Sequence, residues 1–95
     1  MLAWPPKAPG EVLDYDIDWS LRLNGDTILT SNYAIITTDG VAGSLAIQSN
    51  SFLLTRTKVW VNSGTLGFTY VLQNTVTTAN GDTMIESSSL PIRTK

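Results

Sequence analysis

From Leu13 the apolar residues fall on every second position: Leu13, Tyr15, Ile17, Trp19, Leu21 and Leu23, with Asp14, Asp16, Asp18, Ser20 and Arg22 between them. Strict alternation is the period of a strand with one buried and one wet face, and on a helix the same residues would scatter round the circumference. The pattern predicts a strand over 13–23. Asn24-Gly25 follows, a two-residue hairpin pair in which both positions tolerate positive φ. A second strand is predicted over 26–36, and its alternation slips between Ile28 and Tyr33, which predicts a bulge or a change of sheet. Thr38-Asp39-Gly40 marks a turn, and short strands are predicted over 43–48 and 52–55, separated by Ser49-Asn50-Ser51. Residues 57–62 form another, with Val59 and Val61 on one face and Lys58 and Trp60 on the other. After a turn at Asn62-Ser63-Gly64, a long strand over 65–78 has Leu66, Phe68, Tyr70, Leu72 and Val76 on its apolar face and Asn74 as a polar interruption. Asn80-Gly81 predicts a second two-residue hairpin, followed by a strand over 82–92 whose Pro91 belongs at a sheet edge or terminus.

Seven strands separated by turn signals at short intervals predict an all-β domain, an immunoglobulin-like antiparallel β-sandwich, with a small barrel as the competing closure. No Cys–Trp–Cys spacing is present, so the immunoglobulin likeness rests on architecture. The 95 residues suffice for one small domain, and their 9 Ser and 13 Thr favour pleated surfaces over helix. Pro5, Pro6, Pro9 and Gly10 make residues 1–10 an extended Pro-rich arm outside a sandwich domain of residues 11–95.

Chemistry narrows quickly. Histidine and cysteine are both absent, which removes Ser–His and Cys–His nucleophile pairs and the commonest zinc, iron and copper ligands. The expectation is a non-enzymatic protein without a cofactor. A net charge of −2 with no basic stripe speaks against nucleic acid. No apolar run reaches the roughly 18 residues of a membrane span, and the N-terminus lacks the apolar segment of a signal peptide. Lack of disulfides fits assembly in a reducing compartment or support from neighbours in an assembly.

Three features remain. Asp14, Asp16 and Asp18 form a row on one strand face, roughly 6.5–7 Å apart. They are calcium candidates if loops supply further oxygens, and otherwise a solvated face charged against edge aggregation. Asn24-Gly25-Asp26-Thr27-Ile28 is echoed by Asn80-Gly81-Asp82-Thr83-Met84, either a duplicated binding loop or one turn chemistry used twice. Trp4, stiffened by Pro5 and Pro6, either clips onto a neighbouring subunit or folds back over the domain's own core, and Trp60 is a further interface candidate.

The order of these motifs resembles a family of small virion structural proteins of tailed bacteriophages and prophages. The likeness lies in Trp4-Pro5-Pro6-Lys7, the run from Glu11-Val12-Leu13-Asp14-Tyr15 through Trp19-Ser20, and Gly25-Asp26-Thr27-Ile28. It continues through Val59-Trp60-Val61, Gly64 and Gly67, Thr75-Val76-Thr77-Thr78, Gly81-Asp82-Thr83 and Leu90-Pro91-Ile92. The resemblance implies a β-sandwich in the virion, assembled in the bacterial host cytoplasm and bound to the major capsid protein or another virion protein. It assigns no catalytic residues. The leading expectation is a capsid decoration or head-fibre module forming a symmetric oligomer. The alternative is a neck, connector, baseplate or tail-fibre component, and a third reading is a carbohydrate- or host-surface-binding module.

Overall fold

A computed structural model describes residues 1–37 and 44–95 of the chain. The turn expected at Thr38-Asp39-Gly40 lies outside the described residues, as does the start of the strand expected from Gly43. The strands are β1 (Leu2–Ala3), β2 (Leu13–Asp18), β3 (Ile28–Thr37), β4 (Ala46–Phe52), β5 (Arg56–Asn62), β6 (Thr69–Thr78) and β7 (Thr83–Pro91), with a helical turn α1 (Ser20–Leu23) after β2. They form a four-stranded sheet in the order β1-β7-β6-β3 and a three-stranded sheet in the order β2-β5-β4. All pairings are antiparallel except β1 with β7. The sheets pack face to face as an all-β sandwich. Tyr15, Ile17, Val59 and Val61 from one sheet meet Tyr33, Tyr70, Leu72, Val76 and Leu90 from the other.

The alternation in β2 and β5 does what it predicts. Leu13 pairs with Val61 and Asp18 with Arg56, so Tyr15, Ile17, Val59 and Val61 turn inward together. The slip in β3 is a bulge, a register shift between Ile28 and Thr30 against β6.

Several local expectations are corrected. The strand expected over 13–23 stops at Asp18, where its partner β5 begins at Arg56 and no further ladder is on offer. Asp18 Oδ1 accepts the Ser20 N–H at 3.0 Å, and the chain winds into α1, with the Arg22 and Leu23 N–H groups on the Trp19 carbonyl. Trp19 and Leu23 are four apart, so one helical turn buries both, while Leu21 is thrown outward. Asn24 then ends the turn in the left-handed region (φ 49°, ψ 48°), and Asn24-Gly25 leads from one sheet to the other rather than closing a hairpin.

The polar run Ser49-Asn50-Ser51 does not interrupt a strand. It lies within β4, an edge strand largely exposed on both faces and therefore free of the demand for alternation, with a bulge between Ile47 and Ser49. β6 starts at Thr69 instead of Thr65. Gly64 (φ 108°) sits where a Cβ would fall 2.8 Å from Ile92 Cδ1, so the chain there must turn with glycine, leaving Leu66 exposed. The β6–β7 hairpin has four connecting residues, Ala79-Asn80-Gly81-Asp82, not two. Its Gly81 N–H closes on the Thr78 carbonyl at 3.0 Å, and positive φ falls on Gly81 and not on Asn80.

The N-terminal arm is extended, yet it lies along the sandwich rather than outside it, because its backbone finds ladder partners. Leu2 and Ala3 pair with Ser88 and Ser89, the Trp4 N–H reaches the Ser89 carbonyl at 2.9 Å, and the Lys7 N–H reaches Pro91 at 3.0 Å. Lys7 is fully buried, its ammonium donating to the carbonyls of Ala8 (2.9 Å), Pro9 (3.5 Å) and Ser63. Loss of hydration on burial lowers its pKa, and the carbonyls replace that hydration.

Between the sheets runs a buried polar network. Asn74 Oδ1 on β6 accepts from the Trp19 indole N–H (2.9 Å) and the Thr57 hydroxyl on β5 (2.8 Å). Its Nδ2 donates to Ser31 Oγ and the Asn32 carbonyl, each at 2.9 Å. Thr57 has given its only proton to Asn74, so the 2.7 Å contact with Tyr33 is donated by the tyrosine hydroxyl. Every polar atom of the Asn74 side chain is thus used.

Two outcomes follow from this core. Asn74→Ala leaves the Trp19 donor buried without an acceptor and opens a cavity, so it costs roughly 3–5 kcal/mol in urea denaturation, whereas a loss below about 1 kcal/mol would show the network to be incidental. Burial, only partly offset by the Thr57 contact, lifts the Tyr33 phenol to about 12, above the value near 10 of the unfolded chain. The folded state therefore keeps a proton that the unfolded state gives up. The corresponding stability is fully present below about pH 10 and drains away as the pH rises to about 12. Tyr33→Phe should flatten that alkaline decline, measured as unfolding free energy against pH, and an unchanged slope would assign it to another group.

Candidate protein-binding surface

The candidate residues from the sequence do not converge on one site. Trp4 stacks on Tyr15 (ring centroids 4.9 Å apart, 18° between planes) and donates its indole N–H to the Asp16 carbonyl at 3.2 Å. Tyr15 in turn donates its hydroxyl to the Pro5 carbonyl at 3.3 Å. Of the two courses open to the arm, this chain shows the fold-back: Trp4 packs against the core, and Pro5 and Pro6 stay on the surface. Trp60 lies elsewhere, partly exposed on the outer face of β5 opposite Asp14.

Asp14, Asp16 and Asp18 share the outer face of β2 as the alternation requires, and two cations on β5, Arg56 and Lys58, are shared among the three. Lys58 Nζ is 3.2 Å from Asp14, and the Arg56 guanidinium lies 3.9 Å from Asp16 and 3.5 Å from Asp18. The Ser20 backbone N–H, more than Arg56, holds the Asp18 carboxyl below the usual range. Exposed pairs of this kind contribute little stability, but they leave a divalent cation in competition with two resident ones. Among the described residues no three acidic side chains converge as a metal site would need. The matched pentapeptides adopt different turns: one ends α1 and crosses between sheets, the other closes the β6–β7 hairpin.

A different surface stands out at the end of the sandwich where α1, the start of β3 and the β4–β5 turn meet. The Trp19 N–H bonds the Thr55 carbonyl (2.8 Å), the Ile28 N–H the Leu54 carbonyl (2.9 Å) and the Leu53 N–H the Arg56 carbonyl (2.8 Å). These bonds lace the three segments together and commit their backbones. Their side chains face water: Leu21 is 96%, Leu53 76% and Leu54 68% exposed, with Leu29 and Phe52 also open. Large apolar residues clustered in this way on a small domain mark a contact surface more often than a solvated one. Beside them lies a groove of about 350 Å³ whose lining includes Phe52, Leu53, Asp16, Arg56 and Lys58. Asp16 Oδ1 is enclosed at this groove with no hydrogen-bond partner. The arrangement suits docking of a protein surface with an apolar anchor.

The sequence held one signal for this surface. Phe52-Leu53-Leu54 are three apolar residues in succession, and a strand of period two cannot turn all of them into one core. Leu21 was hidden by its place in the strand alternation.

Comparison with known families gives a match. The family described as Podophage GP4 fiber-tail adaptor protein gp77 matches residues 7–91 of the chain. No curated protein matches it.

If the leucines at this end are held for contact and not for the fold, Leu21→Glu and Leu53→Glu change unfolding free energy by no more than about 0.5 kcal/mol. The same variants should take up less of an apolar fluorescent dye than the native protein does. A loss of stability above about 1 kcal/mol would place these side chains in the fold instead.

Proposed function

We propose that this chain, which belongs to the podophage GP4 fiber-tail adaptor family, joins a fibre to the tail of a phage particle as a non-enzymatic structural link. It is a phage virion structural protein, and none of its described helices is long and apolar enough to cross a membrane. Of the readings raised by the sequence, a tail component fits this family better than a capsid decoration protein bound to the major capsid protein. The observation that carries the proposal is the family match, because it spans nearly the whole described sandwich. The exposed apolar end supports it, since an adaptor needs a second surface besides the one that holds its own fold together.

The proposed partners are therefore virion proteins of the fibre and the tail, met by a symmetric oligomer of this chain. The strand order also supports the immunoglobulin-like reading: β2-β5-β4 faces β3-β6-β7. In addition, the Tyr70 hydroxyl near the start of β6 accepts the Thr65 N–H at 3.0 Å, as in the tyrosine corner of such domains.

Quantitative mass spectrometry of purified particles tests the proposal. The expected result is a copy number in fixed small ratio to the fibre and tail proteins. A number approaching that of the major capsid protein, or a simple fraction of it, would overturn the tail assignment and restore lattice decoration.

A further inference from the structure

Four strand edges bound the two sheets, β1 and β3 in one and β2 and β4 in the other. An edge presents unpaired backbone donors and acceptors, and proteins guard it by brevity, charge, bulges, proline or cover. β1 is two residues long. β2 carries three aspartates, and its Asp16 carbonyl is taken by the Trp4 indole. β4 is bulged within its length between Ile47 and Ser49. β3 is different. Its bulge lies at its very start, and from Thr30 to Thr37 it runs in unbroken register with β6. It holds no charge and no proline, and among the described residues no strand pairs with its outer edge.

The face beside that edge is equally unguarded. Outward positions across β3, β6 and β7, from Thr30, Asn32 and Ala34 through Gln73 and Thr75 to Ser87, are all uncharged. The one charged residue in these three strands, Glu86, shares the inward side of β7 and meets Arg22 at 3.5 Å. The opposite sheet carries Asp14, Asp16, Asp18, Arg56 and Lys58 on its outer face, so the asymmetry lies between the two faces of one domain. Depletion of charge is the compositional mark of a buried interface core.

We propose that β3 pairs antiparallel with β3 of a second copy, joining two four-stranded sheets into one continuous sheet with a charge-free outer face. The strand is self-complementary. A two-fold axis at Tyr33 sets Thr30 against Ile36 and Asn32 against Ala34, so no like charges meet. Area gives the pairing a purpose. Three long strands at about 4.8 Å spacing and roughly 33 Å length offer roughly 500 Å² of flat face, below the roughly 800 Å² per partner of a standard interface. Two copies joined edge to edge offer roughly 1,000 Å². This names the seam of the oligomer in the proposed function and rests on that reading for the oligomer alone, not for attachment to the tail.

Analytical ultracentrifugation of the full chain tests it, alongside the double variant Asn32→Lys with Ala34→Lys. Both substituted positions are exposed, and the axis sets ammonium against ammonium at each. The native chain should show a concentration-dependent dimer. The variant should raise the dissociation constant by at least about tenfold, with its melting temperature unchanged when both chains are measured dilute enough to be monomeric. Hydrogen exchange on the native chain, which does not depend on the variant folding, should show residues 30–37 gaining protection as concentration rises. A native chain that stays monomeric, a dimer that tolerates both lysines, or protection gained only elsewhere would each overturn the proposal. A monomeric variant that still binds fibre and tail proteins confirms the seam and leaves the adaptor reading intact. Loss of that binding in Leu53→Glu with the dimer preserved separates the two surfaces.

Discussion

The side chain of Asn74 ties the two sheets together, and much of the fold is arranged to satisfy it. Its carbonyl oxygen faces two donors from outside its own sheet, the Trp19 indole and the Thr57 hydroxyl. Its amide stays within the sheet, on Ser31 and Asn32. A buried amide is costly wherever one of its atoms is left without a partner, so the network tolerates one register of the sheets and penalises the alternatives. In a small domain without disulfides this matters more than its net contribution to stability. The apolar contacts across the sandwich are non-directional and would survive a slip of a residue or two, whereas the hydrogen bonds of Asn74 would not. The short turn α1 belongs to the same constraint, because it delivers the Trp19 indole to the interior just where β2 runs out of ladder.

The N-terminal arm settles the other large question of the fold, which sides of the sandwich are finished. It lies across one side, adding β1 to the edge of β7 and setting the Trp4 ring on Tyr15 beside β2. Lys7 fastens it by burying an ammonium among backbone carbonyls, an arrangement that a neutral side chain could not reproduce. The side formed by β3 and β4 receives no such cover from the arm. The domain is therefore closed on one flank, and its uncovered apolar and uncharged surfaces lie on the rest. That division follows from the arm's own hydrogen bonds and needs no reference to a partner.

The sequence made legible what depends on period and hid what depends on distance. β2 and β5 were readable because each alternates over its whole length and each buries one face. β4 was not, since an edge strand exposed on both faces has no alternation to show, and its Ser and Asn residues look like a loop. Trp19 through Leu23 misled for a specific reason: residues four apart share a face both in a strand and in a helical turn, and only the end of β5 decides between them. Asn74 appeared as a polar interruption because its partners Trp19, Thr57 and Ser31 lie 55, 17 and 43 residues away along the chain. The Asn-Gly pairs announced a change of direction but not its kind, which is set by whether the next strand belongs to the same sheet. The apolar end was half legible. Phe52-Leu53-Leu54 broke the period, while Leu21 was concealed within it.

The proposed adaptor role requires the chain to hold its own shape while offering surface to others, and a small sandwich meets that demand by separating the tasks. Directional bonds inside it fix the register, so none of the outer faces has to contribute to specifying the fold. The charged face of β2 and β5 sets three carboxylates against two cations of its own and resists casual pairing. The leucines at the α1 end are set on segments laced together by backbone hydrogen bonds, so they stand exposed on anchored loops. Each such contact is small. In a repeated assembly, though, several copies engage at once and effective concentration replaces individual affinity, which lets a domain with no deep cleft hold a durable attachment. A larger apolar patch on each copy would strengthen single contacts, but it would also draw the free chains together before the particle is built. On the proposed adaptor reading, a limited exposed patch suits an assembly in which each copy contributes little once its neighbours are in place.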